Sequence, residues 1–246
     1  MNEKRRAKIL IATPAFGGLV TTQYLTSLLD TIAQFLIQGV PHSVYTIANE
    51  SLISRGRNRC AQYALEHGFD KLFFIDADIG WAWPDVARLI KTDKLVIGGT
   101  YPLKQLDPML NYNPMPETID ACMEKLKTKD TILRSPEELL VLSEMANDRG
   151  ELEVRHIPTG FMIIDTRVFK SLQPHVPSFK MRDTENFQEK TYYDYFPVRV
   201  RDGVYESEDW AFCSLVREHL DCGVWLNTNV VTTHTGVITY TGARNV

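Results

Sequence analysis

Lys71-Leu-Phe-Phe-Ile-Asp-Ala-Asp78 is the stretch on which the fold turns. Its apolar residues run without polar alternation, which reads as a strand buried on both faces, the mark of a mostly parallel sheet covered by helices. The run ends in two carboxylates. Trp83-Pro84-Asp85 then opens a helix with proline in the first turn, where a missing N–H costs nothing. Upstream, the β-branched and apolar segment from Lys8 to Thr13 reads as a strand feeding the loop Thr-Pro-Ala-Phe-Gly-Gly. A helix from Thr21 to Gln38 follows, with Leu25, Leu28, Leu29, Ile32, Phe35 and Leu36 expected on one core-facing side and Gly39 as its stop. Ser43 to Ala48 and Leu95 to Gly98 read as further strands. Ser54 to His67 reads as a helix with Ala61, Ala64 and Leu65 inward. Strands and helices alternate, so the expected class is α/β, with a mostly parallel central sheet and helices on both faces.

The second half is less regular, of α+β character. Tyr101 to Pro116 is rich in proline and asparagine and is expected to be a loop. Ser135 caps a helix running to about Ala146, and Glu151 to His156 and Phe161 to Asp165 are strands. Residues 174 to 205 lack periodicity and suggest a long loop or flap, rich in aromatics such as Tyr192, Tyr193, Tyr195 and Phe196, that could close over a ligand. Ser207 caps a helix with Ala211, Phe212, Leu215, Val216 and Leu220 inward, and Val224 to Thr233 closes the sheet.

A chain of 246 residues, 44% apolar and 24% charged, is expected to form one domain over 1–246. A formal net charge of -4 offers no general attraction to a polyanion, which argues against a nucleic-acid partner. No apolar run approaches the roughly 20 residues of a membrane span. Ile9 to Ala12, after Lys4, Arg5 and Arg6, is too short for a signal-peptide core, so a cytoplasmic location is expected. Cys60, Cys122, Cys213 and Cys222 lack paired spacing and read as reduced and structural. Oligomeric state is left open.

Asp76-Ala77-Asp78 places two carboxylates at the carboxyl end of a buried strand, where ligands collect in open α/β sheets. They can converge on one cation, and hard oxygen ligands suit Mg2+ or Mn2+, which in turn bridge a diphosphate. The plain alternative is a strand ending in a turn. Trp81, Trp83 and Pro84 immediately behind make a casual turn less apt.

Thr13-Pro14, Ser54-Arg-Gly-Arg-Asn58, Phe74-Ile-Asp-Ala-Asp78, Gly98-Gly-Thr-Tyr-Pro-Leu-Lys104, Pro158-Thr-Gly-Phe161, Ser207-Glu-Asp-Trp210 and His234-Thr-Gly236 together resemble, in order and over nearly the whole chain, the GT-A glycosyltransferases. The likeness is greatest to the small single-domain kind of large DNA viruses and phages. It implies transfer of a sugar from a nucleotide-diphosphate sugar, UDP- or GDP-linked, to a hydroxyl of a carbohydrate or other acceptor. Residues 1–100 would be the nucleotide-binding half and 101–246 the acceptor-binding half.

The resemblance makes Asp76 the contact to ribose or metal and Asp78 the metal ligand. His234 would complete the shell, which would favour Mn2+ over Mg2+; otherwise it is a histidine satisfied in a Thr-rich strand. Arg57 and Lys104 are candidates for the donor phosphates, since the leaving group gains negative charge as the glycosidic bond breaks. Thr13 and Pro14 resemble the segment that cradles the nucleobase, with Asn49 or Glu50 assisting. Glu208 and Asp209 sit in a helix's first turn, where the macrodipole alone explains acidic residues. By family likeness Asp209 is the general base. Gly160 would line the sugar pocket, or simply make a tight turn.

Two rivals remain. A sugar-nucleotide nucleotidyltransferase would carry a glycine-rich first loop with an Arg and Lys after it, and the loop here lacks that basic pair. A non-catalytic nucleotide-sugar-binding module would bind donor without turnover.

Overall fold

A computed structural model describes residues 5–104, 109–126, 135–182 and 188–236. Lys4 and the parts of the expected loops over 105–108 and 183–187 lie outside them. In chain order the elements are β1 (Ile9–Ala15), α1 (Thr22–Gln38), β2 (His42–Ala48), α2 (Ile53–Glu66), β3 (Lys71–Ile75), β4 (Ile79–Gly80), α3 (Trp83–Ile90) and β5 (Val96–Thr100). Then come β6 (Asn113–Pro114), α4 (Pro116–Leu126), α5 (Pro136–Ser143), β7 (Glu151–His156), β8 (Phe161–Asp165) and α6 (Thr166–Leu172). The chain closes with β9 (Ser178–Arg182), β10 (Glu189–Tyr193), β11 (Arg199–Arg201), β12 (Val204–Glu206), α7 (Glu208–His219), β13 (Val224–Val231) and β14 (Thr233–His234).

The main sheet has the order β2-β1-β3-β8-β5-β13-β7-β6. Only β8 and β7 run against the shared direction of the others. Alternation along each strand feeds two cores. Leu72 and Phe74 of β3, with Leu10 and Met162, join α2, α6 and α7 on one face. Phe73 and Ile75, with Ile9, Ile11 and Phe161, join α1 and α3 on the other. This two-sided burial is why β3 and β8 carry no polar alternation.

Sequence and structure part company at four places. On α1 the buried stripe is Tyr24, Leu28, Thr31 and Phe35, while Leu25, Leu29 and Leu36 are exposed. Two polar residues take the buried stripe because their tips find partners: Tyr24 Oη lies 2.6 Å from Thr13 Oγ1, and Thr31 Oγ1 accepts from Trp81 Nε1 at 2.8 Å. Second, α4 lies just beyond the expected proline-rich loop, and α6 follows β8 unannounced. Third, the described part of 174–205 holds two β-hairpins, β9–β10 and β11–β12, in place of a flap. Tyr195 and Phe196 are fully buried there, with Phe196 stacked on Phe212 of α7 at 4.7 Å, so these aromatics fix α7 to the sheet. Fourth, Ser207 stands at the N-cap of α7, yet its hydroxyl donates to Asp209 instead of capping the backbone.

Candidate active site

The turn after β3 is held by its own backbone. Asp76 N–H donates to the Gly160 carbonyl at 3.0 Å, and Ile79 N–H to the Asp76 carbonyl at 3.1 Å. The Ala77 and Asp78 carbonyls accept from Thr21 and Thr235, each at 2.9 Å. With four backbone anchors, the carboxylates of Asp76 and Asp78 project from a fixed base at the strand's carboxyl end. Beside them opens a cleft of about 520 Å³ walled by Pro14, Phe16, Leu19, Val20 and Ile53, with Asp76, Ala77 and Asp78 at one end. An apolar groove closed by a few polar groups is the usual make-up of a small-molecule site.

Asp78 is contacted by Lys104 Nζ, and its Oδ2 lies 3.5 Å from His234 Nε2. Burial alone would raise its pKa, but the contacts with His234 and Lys104 outweigh burial and bring it down to about 2. His234 Nδ1 is 2.9 Å from the Pro102 carbonyl. A carbonyl can only accept, so Nδ1 carries a proton, and Nε2 is the ring nitrogen that faces Asp78. An imidazole nitrogen and a carboxylate oxygen side by side are donors that a divalent cation could share once Lys104 gives way. Among the described residues no three His, Cys, Asp or Glu side chains gather as a ready ion site; further ligands would have to come from Asp76, the donor or water.

Arg57 is buried, with only 3% of its side chain exposed. Its Nη2 donates to both oxygens of Asp76, at 3.1 and 3.3 Å, and its Nε to Glu208 Oε1 at 3.3 Å. Burial opposes the charge, but Asp76 and Glu208 more than offset it and raise the pKa further. Nη1 is buried with no hydrogen-bond partner among the described residues. The guanidinium therefore ties the β3 turn to the start of α7. Arg55 and Arg59 both face Glu50, so Glu50, with 6% of its side chain exposed, is taken up by these arginines.

Asp209 accepts from Trp210 N–H at 2.8 Å and from the Ser207 hydroxyl. Burial first, and then the neighbouring Glu208 charge, push its pKa up to about 6, against the pull of Ser207, Trp210 and Arg57. A half-buried carboxylate at that value is suited to exchanging a proton near neutrality.

Thr13 is fully buried and bonded to Tyr24, whereas Pro14 does line the cleft. At Gly160 a Cβ would stand 2.6 Å from Tyr101 Oη and 2.8 Å from Asp76 Oδ2, so glycine is required by the packing of these two side chains. Tyr101 escaped the sequence reading although it lies within Gly98–Lys104. Its hydroxyl is buried, and burial, Asp76 and Asp209 drive its pKa well above the usual range. Its ring meets that of His234 edge-on at 4.9 Å. Asn58 was quoted without a role; it pins the chain after β10 by donating to Asp194 at 2.8 Å and accepting from the N–H groups of Tyr195 and Phe196.

No family model and no curated protein matches the chain. Among solved structures, the A197 protein from STIV is 13% identical, with 94% of this chain and 86% of that one covered at a TM-score of 0.51. GalNAc-T7, solved with UDP, GalNAc and Mn2+, is 11% identical, with 94% of this chain and 44% of that one covered at 0.43. A protein described as a glucose-1-phosphate thymidylyltransferase from Bacillus anthracis, in complex with sucrose, is 12% identical over 69% of this chain and 76% of that one at 0.36. The last two are too distant to carry weight. These likenesses are of fold alone, an α/β architecture with a mostly parallel eight-stranded sheet.

Proposed function

We propose that this chain is a glycosyltransferase that moves a sugar from a nucleotide-diphosphate donor to an acceptor hydroxyl. One observation carries the reading. A backbone-anchored pair of carboxylates at the mouth of an apolar cleft is joined through Arg57 and Glu208 to a helix whose next residue, Asp209, has a pKa of about 6.

The nucleoside lies in the cleft against Pro14 and its apolar neighbours, and Asp76 faces the ribose. Asp78 and His234, with Asp76 nearby, would hold Mn2+ or Mg2+, which supplies positive charge to the donor diphosphate. Lys104, paired with Asp78 but 41% exposed, can turn to that diphosphate as the chain's own cation, whereas Arg57 is buried between Asp76 and Glu208 and serves as a positioning residue. Asp209 takes the proton from the acceptor hydroxyl as its oxygen bonds to the anomeric carbon. The bond from that carbon to the β-phosphate oxygen breaks, and its electron pair leaves with the nucleoside diphosphate, toward Lys104. Asp209 then returns its proton to water. A base on the acceptor side corresponds to inversion at the anomeric carbon. Residues 1–100 contribute most of the donor side and 101–246 the base, in one domain.

The test is a screen of UDP- and GDP-sugars with Mn2+ that reads released nucleoside diphosphate and, in parallel, pyrophosphate. Nucleoside diphosphate release that is lost in Asp78→Ala and Asp209→Asn supports the proposal. Pyrophosphate release would indicate nucleotidyl transfer instead, and donor binding without any turnover would indicate a binding module.

A further inference from the structure

Along α7 from Asp209 lies a second concavity, of about 180 Å³, lined by Arg155, His156, Arg201, Ser214, Arg217 and Glu218. Half of these side chains are guanidinium groups. Arg201 pairs with Glu206 at 3.4 Å and with Glu218, and Arg217 pairs with Glu153 at 3.1 Å. Arg199, next to them, donates to Glu206 at 2.7 Å, and its buried Nη2, without a hydrogen bond among the described residues, lies 3.8 Å from Glu218. Four guanidiniums thus meet three carboxylates, and Arg155, the one without an ion pair among the described residues, is exposed.

His156 forms the floor. Its ring stacks flat on Trp210 at 4.6 Å, and its Nε2 lies 3.3 Å from the Ser214 hydroxyl, which donates to Glu206 at 2.8 Å. Burial first, and then the nearby Arg155, Arg217 and Arg201, push its pKa down to about 4 despite the opposing Glu206 charge. The ring is therefore neutral near pH 7 and adds no charge of its own to the pocket.

We propose that this pocket binds an oxyanion, a phosphate, sulfate or carboxylate group, with Arg155 closing over it from the rim. Guanidinium forks match such groups bidentately. The space equals that of several waters at ~30 Å³ each, enough for one such group with part of its hydration. Ser214 and Arg217 lie five and eight residues beyond Asp209, which at 1.5 Å per helical residue is about 7 and 12 Å along the axis. An anionic substituent on an acceptor held at Asp209 could reach that far, and a free anion could also fill the pocket.

The experiment titrates wild type with sodium sulfate and inorganic phosphate by calorimetry, against sodium chloride of equal ionic strength. Arg155→Gln is the exposed test position, and Arg88→Gln is a control far from the pocket. Saturable binding of sulfate or phosphate, weakened about tenfold in Arg155→Gln and unchanged in Arg88→Gln, is expected. Binding that does not saturate, that chloride reproduces, or that Arg155→Gln leaves intact would overturn the assignment. This arm needs no turnover, so it is decided independently of the transferase reading. Where transfer is measurable, sulfate that competes with acceptor but spares acceptor-free donor hydrolysis identifies an acceptor group as the natural occupant. Sulfate that alters both rates identifies a free anion.

Discussion

Gly160→Ala tests how tightly the site is assembled. The added methyl would stand 2.6 Å from Tyr101 Oη, 2.9 Å from Tyr101 Cε1 and 2.8 Å from Asp76 Oδ2, where ordinary contact begins at 3.4 Å. Neither neighbour yields freely: Tyr101 is buried, and Asp76 is held by Arg57 on a turn whose N–H is bonded to Gly160 itself. Relief takes a displacement of about 0.6–0.8 Å, an overpacking whose usual cost is about 1–3 kcal/mol. For a chain of this size that lowers Tm by roughly 2–12 °C in differential scanning calorimetry. Because Asp76 faces the ribose in the proposed site, kcat/KM should fall further, by about 10²-fold, the effect of misplacing a positioning group by ~1 Å. Adding Tyr101→Phe removes the closest of the three contacts, so the double variant should regain part of the stability. It should not regain the activity, since the clash with Asp76 persists. A Gly160→Ala protein with wild-type Tm and wild-type turnover would refute the reasoning.

Arg57→Met should cost about 3 kcal/mol, the low end for stranding buried charges because Asp76 is partly exposed, read as a shift in the urea midpoint; Arg57→Lys, lacking the fork, should recover less than half. In the proposed mechanism the carboxylate form of Asp209 is the base, and burial raises its pKa to about 6, so kcat/KM should fall tenfold per pH unit below about 6, a limb that Asp209→Asn abolishes with the activity. His156 titrates near 4 in the folded chain against an ordinary 6.5. The unfolded chain therefore takes up the proton first as pH falls, and stability present above pH 6.5 is lost progressively toward pH 4, by at most about 3 kcal/mol. Urea midpoints at pH 7.5 and 5 measure this loss, and His156→Gln should flatten it.

Much of the architecture was legible in the chain because it follows from local pattern. Leu72 to Ile75 are apolar at every position because both faces of β3 are covered, so the strand, its central place and the carboxylates at its end could be read together. β8 was delimited correctly for the same reason, and β7 by the alternation of Leu152 and Val154 with charged residues. Leu25, Leu29 and Leu36 misled because helical spacing alone does not say which of two adjacent stripes faces inward; partners for Tyr24 and Thr31, on β1 and next to β4, decided that. The hairpins over Ser178–Arg182, Glu189–Tyr193, Arg199–Arg201 and Val204–Glu206 are short and largely exposed, so no continuous apolar period announced them.

The residue types of the site and the position of its carboxylates were set by the sequence, since Asp76, Asp78, Glu208 and Asp209 sit at element ends recognisable locally. Their working relations came only from tertiary structure. Arg57 meets a carboxylate 151 positions away, Lys104 reaches back to Asp78, and buried Tyr101 feels the charges of both Asp76 and Asp209. Charge state, burial and bond partners depend on which distant segments share a volume, and no local pattern encodes that. The chain could therefore specify which groups stand at the site, and only folding could decide which of them remain available to a ligand.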